Sequence, residues 1–180
     1  ITKELQSYRW VPSIRFINGY HQTPEYVNAI SQSITHYIEQ SGMPERLIFS
    51  YHGTPQRYLE QGDPYYCFCI QTTRLVVEAL GLDNELVISS FQSRFGKAKW
   101  LQPYTDVTLK SLAEQGVKRV AIICPGFSSD CLETIEEIEV ENRDYFINAG
   151  GESYDYIPCL NDSQDHIGMM RQLISSNLNE

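Results

Sequence analysis

Short β-branched runs alternate along this chain with longer stretches whose apolar positions recur every three or four residues. Residues 11–17 read as a first strand, followed by the polar turn Asn18-Gly19-Tyr20-His21. Thr23 then stands where a helix N-cap belongs, and Pro24 takes the first helical position. Val27, Ile30, Ile34 and Ile38 keep helical spacing until Gly42 stops them. Residues 47–51 predict a second strand ending at His52-Gly53. Asp63-Pro64 opens a helix to about Leu80, with Gly81 just past its end. Residues 86–91 predict a third strand with Gln92-Ser93-Arg94 at its tip. Thr105 or Asp106 caps the next helix, which Gly116 ends. Residues 117–124 are the most continuously apolar strand. The turn Pro125-Gly126-Phe127-Ser128-Ser129 follows, then a long acidic helix capped by Asp130 and running to about Ala149. Residues 154–158 predict a fifth strand, Asn161-Asp162 a turn, and the rest a last helix to about Leu178.

Five β-α units in a row predict an α/β fold with a doubly wound parallel sheet and right-handed crossovers. The unbroken apolar character of residues 117–124 implies burial on both faces, hence three αβα layers. Ligands in such sheets bind beyond the carboxyl ends of the strands. That rim carries Tyr20 and His21, His52, Gln92-Ser93-Arg94, the segment from Pro125 to Glu133, and Asn161. None of its turns is GxGxxG or GxxxxGKS, so no phosphate cradle is present.

Composition narrows the classes. With 42% hydrophobic and 21% charged residues the chain can build a core and is not a disordered one. Fourteen Lys and Arg against 23 Asp and Glu give a net charge of −9. That balance lacks the basic footprint of a nucleic-acid binder or a polybasic membrane-surface protein. No run approaches the ~18 apolar residues of a membrane span. The start, Ile1-Thr2-Lys3, has no initiator Met and no signal-peptide core, which reads as a processed or truncated chain. The five cysteines, Cys67, Cys69, Cys124, Cys131 and Cys159, are odd in number and lie partly in apolar runs. Reduced thiols of a cytoplasmic protein fit this better than a disulfide framework. Cys67-Phe68-Cys69 is a CxC without a second pair at zinc spacing.

Two segments carry candidate chemistry. His52 follows an apolar strand and precedes a glycine. It reads either as a turn histidine bonded to a nearby carbonyl or as a metal ligand or general base, with Gly53 letting a ligand approach the backbone. The acidic helix places Glu133, Glu137 and Glu141 at i, i+4 and i+8. At about 100° per residue these form one stripe. Like charges at that spacing cost roughly 0.2–0.5 kcal/mol per pair. The stripe is either a solvated face or a carboxylate ladder that attracts a divalent cation or relays protons. Imidazole and carboxylate together suit ferrous iron. Tyr20, Trp100 and Phe127 lie in or near rim loops. They read as walls for a planar apolar ligand or as core and lid packing. His166 reads as a cap or surface histidine, and His36 as partly exposed on its helix.

Six stretches then match a known family in order and spacing: FINGYHQTPEYVNAI, SYHGTPQRY, GDPYYCFC, FQSRFGKAKWLQPYTD, CPGFSSDCLETIEEI and IPCLND. On these motifs the chain resembles the C-terminal part of ferrochelatase, most like those of Gram-negative bacteria. Ferrochelatase inserts iron into protoporphyrin to make haem. The resemblance implies two Rossmann-like lobes with the porphyrin between them. It carries His52 over as the catalytic histidine and Glu133 as its carboxylate partner, both contacting ferrous iron. Glu137 and Glu141 fall on an acidic line leading away from the site. Trp100 falls at a porphyrin-facing aromatic position with Ser93 and Arg94 beside it; Tyr20 and Phe127 complete the expected porphyrin-binding set. The family's N-terminal lobe has no counterpart here.

Residues 1–45 are therefore expected to link from a missing N-terminal lobe. Residues 46–162 form the chelatase lobe, and 163–180 a C-terminal helix that packs on the missing lobe. The expected activity is Fe2+ insertion into protoporphyrin IX in the cytoplasm, with iron as substrate and no permanently bound cofactor. The cysteine pattern offers no two-iron two-sulfur cluster. The partners expected are the two substrates and the missing lobe, with self-association of the fragment and neither nucleic acid nor an integral membrane segment. The competing readings are a non-catalytic porphyrin- or metal-binding lobe, and a chelatase for another tetrapyrrole or metal such as cobalt.

Overall fold

A computed structural model describes residues 1–178. Four strands, β1 (Arg46–His52), β2 (Val87–Gln92), β3 (Arg119–Ile123) and β4 (Ser153–Ile157), form one parallel sheet in the order β2-β1-β3-β4. The two interior strands are the ones whose sequences are continuously apolar. Leu47, Ile48 and Phe49 of β1 and Val120, Ala121 and Ile122 of β3 are fully buried. Alternation along each strand splits these side chains between two cores. Leu47, Phe49 and Tyr51 pack with Ile30 and Ile34 of α2 (Pro24–Ser41), Val76 of α4 (Tyr65–Leu80) and Met169 of α7 (Gln164–Leu178). Ile48, Val120 and Ile122 pack on the other face with Leu109 and Leu112 of α5 (Thr105–Glu114) and Phe146 of α6 (Arg143–Asn148). The three-layer αβα arrangement of the sequence reading is thus the fold. Short helices α1 (Thr2–Leu5) and α3 (Gln56–Glu60) complete the described chain with a 3₁₀ turn at Asn84–Leu86.

Helix boundaries follow the sequence signals closely. Pro24 opens α2 and Gly42, at φ 79°, ends it; Gly81, at φ 62°, ends α4. Three expectations are corrected. Residues 11–17 form no strand: each is exposed and none pairs in the sheet. A strand needs a neighbouring edge to satisfy its backbone, and the β-branched residues of this segment by themselves supply none. The acidic helix begins as a π-helix, Glu133–Asn142, and becomes α-helical only in α6. His166 is buried, 6% exposed, with Nδ1 2.6 Å from the Asn161 carbonyl oxygen. It fastens the turn before α7 rather than facing solvent.

All five cysteines are free thiols. Burial pushes Cys69 and Cys159 up to about 12 and raises Cys124 well above the ordinary thiol value. The thiolate is the reactive species. Native-state alkylation at pH 8 should therefore label exposed Cys67 and spare these three, as read by peptide mass spectrometry. Labelling of Cys69 or Cys159 at the rate of Cys67 would mean that this core opens readily.

Candidate active site

The strand order reverses between β1 and β3: β2 lies on one side of β1, while β3 and β4 lie on the other. That switch point is where a parallel sheet leaves a crevice beyond its strand ends. β1 delivers His52 to it. β3 delivers the segment that runs through Phe127 and Asp130 into the π-helix beginning at Glu133.

Period-two alternation decides which face His52 takes. Tyr51 enters the α2–α4 core, so His52 projects to the opposite side, the side of the π-helix. Its Nδ1 lies 2.7 Å from the Gly53 carbonyl oxygen. A carbonyl only accepts, so Nδ1 carries the proton and Nε2 is left with a free lone pair. Nε2 makes no hydrogen bond among the described residues. The Tyr65 hydroxyl donates to the His52 carbonyl at 2.9 Å, and the Phe127 ring stands 6.2 Å from the imidazole. Glycine follows His52 for a steric reason other than ligand access. A Cβ at Gly53 would meet the Gln92 carbonyl oxygen at 2.8 Å and the Trp100 ring at 3.2 Å.

Glu133 is exposed on the first π-helical residue. A hydrogen bond from the Cys131 side chain, then one from its own backbone N–H, hold its carboxyl below the ordinary carboxylate value. A protonated His52 would add a smaller pull in the same direction. His52 at the end of β1 and Glu133 at the start of the π-helix thus stand at the same end of the sheet. The turn before Glu133 is organised by Asp130. Its carboxylate accepts from the Tyr156 hydroxyl at 2.5 Å, the Asn161 amide at 2.7 Å and Thr134 Oγ1 at 3.1 Å. Burial opposes its ionisation, but bonds from Asn161, Tyr156 and Cys159 outweigh that, and its carboxyl lies below the ordinary value.

The remaining expected site residues take varied positions. Glu137 is turned toward β2: the Ser93 N–H donates to Oε1 at 2.6 Å, and Ser93 Oγ donates to Oε2. Glu137 and the exposed Glu141 line a cavity of about 170 Å³ with Gln92, Ser93, Arg94 and Asp106. Arg94 forms a double hydrogen bond with Asp106 at 2.9 Å and lies 4.0 Å over the Tyr104 ring. Trp100 is only 7% exposed and donates its indole N–H to the Phe95 carbonyl at 3.0 Å. Phe95, 74% exposed, presents the free aromatic face of that loop. Tyr20 meets Tyr26 edge-on at 5.3 Å and reaches Ser128 at 3.3 Å. It lines a second cavity of about 190 Å³ with His21, Tyr65 and Phe68. Both cavities fall below the roughly 300–1,000 Å³ of small-molecule pockets. His52 itself is half-buried and lines neither.

Residue-level reading of the sequence passed over Gln92, Tyr65 and Phe95 as site residues. Gln92 was legible as a strand-end polar residue. Its importance rests on partners brought from 42 and 41 positions away, Ser50 and Glu133.

The family model described as ferrochelatase matches residues 1–178. Among curated relatives, a ferrochelatase of Shewanella denitrificans is 58% identical over 179 residues, covering 97% of this chain and 53% of its own. A ferrochelatase of Teredinibacter turnerae is 54% identical, with 99% and 49% covered. A ferrochelatase of Yersinia pestis is 49% identical, with 99% and 56% covered. The chain spans about half the length of the curated relatives it matches. A site histidine and carboxylate at the switch point of a parallel sheet, and agreement at this identity along nearly every residue, lead to one assignment: the chain belongs to the ferrochelatase family.

Proposed function

We propose that this chain forms one wall of a chelatase that inserts Fe2+ into protoporphyrin IX, giving protohaem and two protons in the last step of haem formation. The observation that carries the reading is the His52 imidazole, tautomerically fixed by Gly53 with a bare Nε2, at the same end of the sheet as the ionised Glu133. Metallation must remove two pyrrole protons and strip water from the iron. A macrocycle bent out of plane exposes its nitrogen lone pairs to the metal. His52 Nε2 is a suitable group to accept a pyrrole proton or to ligate the incoming iron, and both uses draw on the same lone pair. Glu133 supplies the negative charge that stabilises either product. Glu137 and Glu141 continue the acidic line as an outer path for metal or protons. Phe127, Tyr20, Ser93, Arg94 and Trp100 form the porphyrin side, Trp100 and Ser93 acting from below the surface by holding Gly53 and Glu137. Iron is a substrate here, and the reading needs no resident cofactor or iron–sulfur cluster.

The second wall would come from a preceding lobe of the same protein. Residues 1–45 would lead from it and 46–162 carry the strands of the chelatase lobe, with α2 and α7 packed into the same core; the helix within 163–180 would also present its outer face to the missing lobe. Supporting this, Trp10 is 87% exposed, and Phe16, Ile167 and Ile174 are also exposed. Such apolar surface favours association, so the isolated chain should self-associate. No described helix is long and apolar enough to cross a membrane. Free thiols support a cytoplasmic setting.

The test compares the isolated 180-residue chain with the protein that includes the sequence preceding it in its gene. Haem formation from Fe2+ and protoporphyrin IX is expected of the longer protein alone, with the isolated chain associating by light scattering. Full activity from a monomeric isolated chain would refute the two-walled account. Porphyrin binding without turnover in the longer protein would favour the binding-lobe reading. A metal competition series separates iron from cobalt.

A further inference from the structure

We infer that Gln92 is a positioning residue for this reaction, a buried splint that sets Glu133 against His52; the inference rests on the chelatase reading. Gln92 is 3% exposed and is the register partner of His52 across the β1–β2 ladder. It touches both halves of the site. Its backbone carbonyl accepts from the Gly53 N–H at 2.8 Å, fixing the residue that holds the His52 imidazole. Its side-chain Nε2 donates to the Glu133 carbonyl at 2.8 Å. Its Oε1 accepts from Ser50 Oγ at 2.8 Å, and Ser50 in turn meets Thr105 at 2.9 Å. Those partners fix the amide's orientation: a flipped side chain would set its oxygen against the Glu133 carbonyl and lose the Ser50 bond.

The next residue continues the splint. Ser93 takes φ 63°, a left-handed conformation that costs a non-glycine residue energy and persists only where surroundings over-determine it. Here both of its donors grip the Glu137 carboxylate. The tip of β2 therefore holds the π-helix at two points one turn apart, a backbone carbonyl at Glu133 and a side chain at Glu137. The Glu133 anchor matters most, because it sits on the residue whose carboxylate the chelatase reading pairs with His52. A misplacement of about 1 Å in such a pair costs on the order of 10²-fold in rate.

Gln92→Met keeps length and volume and removes the donor. Gln92→Glu keeps the shape and the acceptor for Ser50 but cannot donate to Glu133 at neutral pH. Two readouts apply to the intact protein. The first is amide hydrogen exchange, which needs no turnover. Residues 133–138 should exchange on the order of tenfold faster in both variants, with β1 and β3 unchanged. The second is steady-state chelation, where kcat should fall on the order of 10- to 100-fold and the porphyrin KM stay within about twofold. Unchanged exchange in that segment overturns the splint. Unchanged kcat, or kcat and KM worsening together with a general loss of protection, also overturns it and leaves an ordinary packing residue. An inactive wild type whose exchange still responds to the variants refutes the chelatase reading, and the catalytic half of this inference with it.

Discussion

His52→Ala is expected to abolish iron insertion by the intact protein, on the order of 10²- to 10⁴-fold in kcat, while its melting temperature moves by a few degrees at most. The two halves of that expectation have separate origins. The imidazole is half-buried, and its one hydrogen bond among the described residues, from Nδ1, ends on the adjacent Gly53 carbonyl. Phe127 is 6.2 Å from it, so truncation opens no cavity in either core. The backbone at this point is held by other groups, the Tyr65 hydroxyl on the His52 carbonyl and the Gln92 carbonyl on the Gly53 N–H. Little stability depends on the side chain. All of its chemistry lies in Nε2, which alanine removes. Haem formation is measured at saturating iron and porphyrin, alongside thermal unfolding. Near-wild-type turnover would sink the assignment. Loss of turnover with a large drop in melting temperature would make His52 a structural residue instead.

Local sequence carried most of the fold because its signals were local. Pro24, Gly42 and Gly81 mark helix ends through backbone restrictions that act within one or two residues. The continuous apolar run in β3 could only be buried on both faces. Residues 11–17, with Val11, Ile14, Phe16 and Ile17 set among Pro12, Ser13 and Arg15, form no strand, since strand formation depends on a partner edge that their own sequence cannot report. The π-helix was illegible for a similar reason. Its carbonyls at Glu133, Glu137 and Ile138 accept from the side chains of Gln92, Asn142 and Tyr154. Two of those donors come from β2 and β4, so the departure from α-helical pairing is accompanied by contacts that tertiary structure alone brings together.

The site divides the same way. The positions of His52 and Glu133 at the rim were legible because a strand end and the start of a following helix meet at the switch point of a parallel sheet. The roles around them were less so. Ser93 and Arg94 stand at the expected rim, yet Ser93 spends its donors on Glu137, and Arg94 spends its guanidinium on Asp106 and the Tyr104 face. Trp100 lies almost wholly beneath the loop that carries it, and the exposed ring there is Phe95. The motif located the wall; side-chain packing decided which atoms face outward.

Glu133→Gln should slow chelation on the order of 10²-fold and leave porphyrin affinity within about twofold, because it removes a charge while keeping shape and hydrogen-bonding capacity. The carboxyl is held below its ordinary value, first by the Cys131 side chain and then by its own backbone N–H. It is therefore ionised at every pH at which the enzyme would be assayed, and the wild type uses the charge throughout. The sign is that of a depressed acid: whatever it contributes in the folded protein is present above the ordinary value of 4.5 and lost only as pH falls through the lower, folded one. Wild-type kcat should accordingly show no limb above about pH 5 that Glu133→Gln removes. Cys131→Ala removes the largest of the depressing bonds, so the Glu133 carboxyl should titrate closer to its ordinary value, as followed by carbon-detected NMR of the carboxyl. The same variant should retain most of its kcat at pH 7, where the carboxyl stays ionised. Two results would count against the charge role: Glu133→Gln with unchanged kcat and a raised porphyrin KM, which makes the residue a porphyrin contact, or an acid limb above pH 5 that vanishes in Glu133→Gln, which makes it a titrating base.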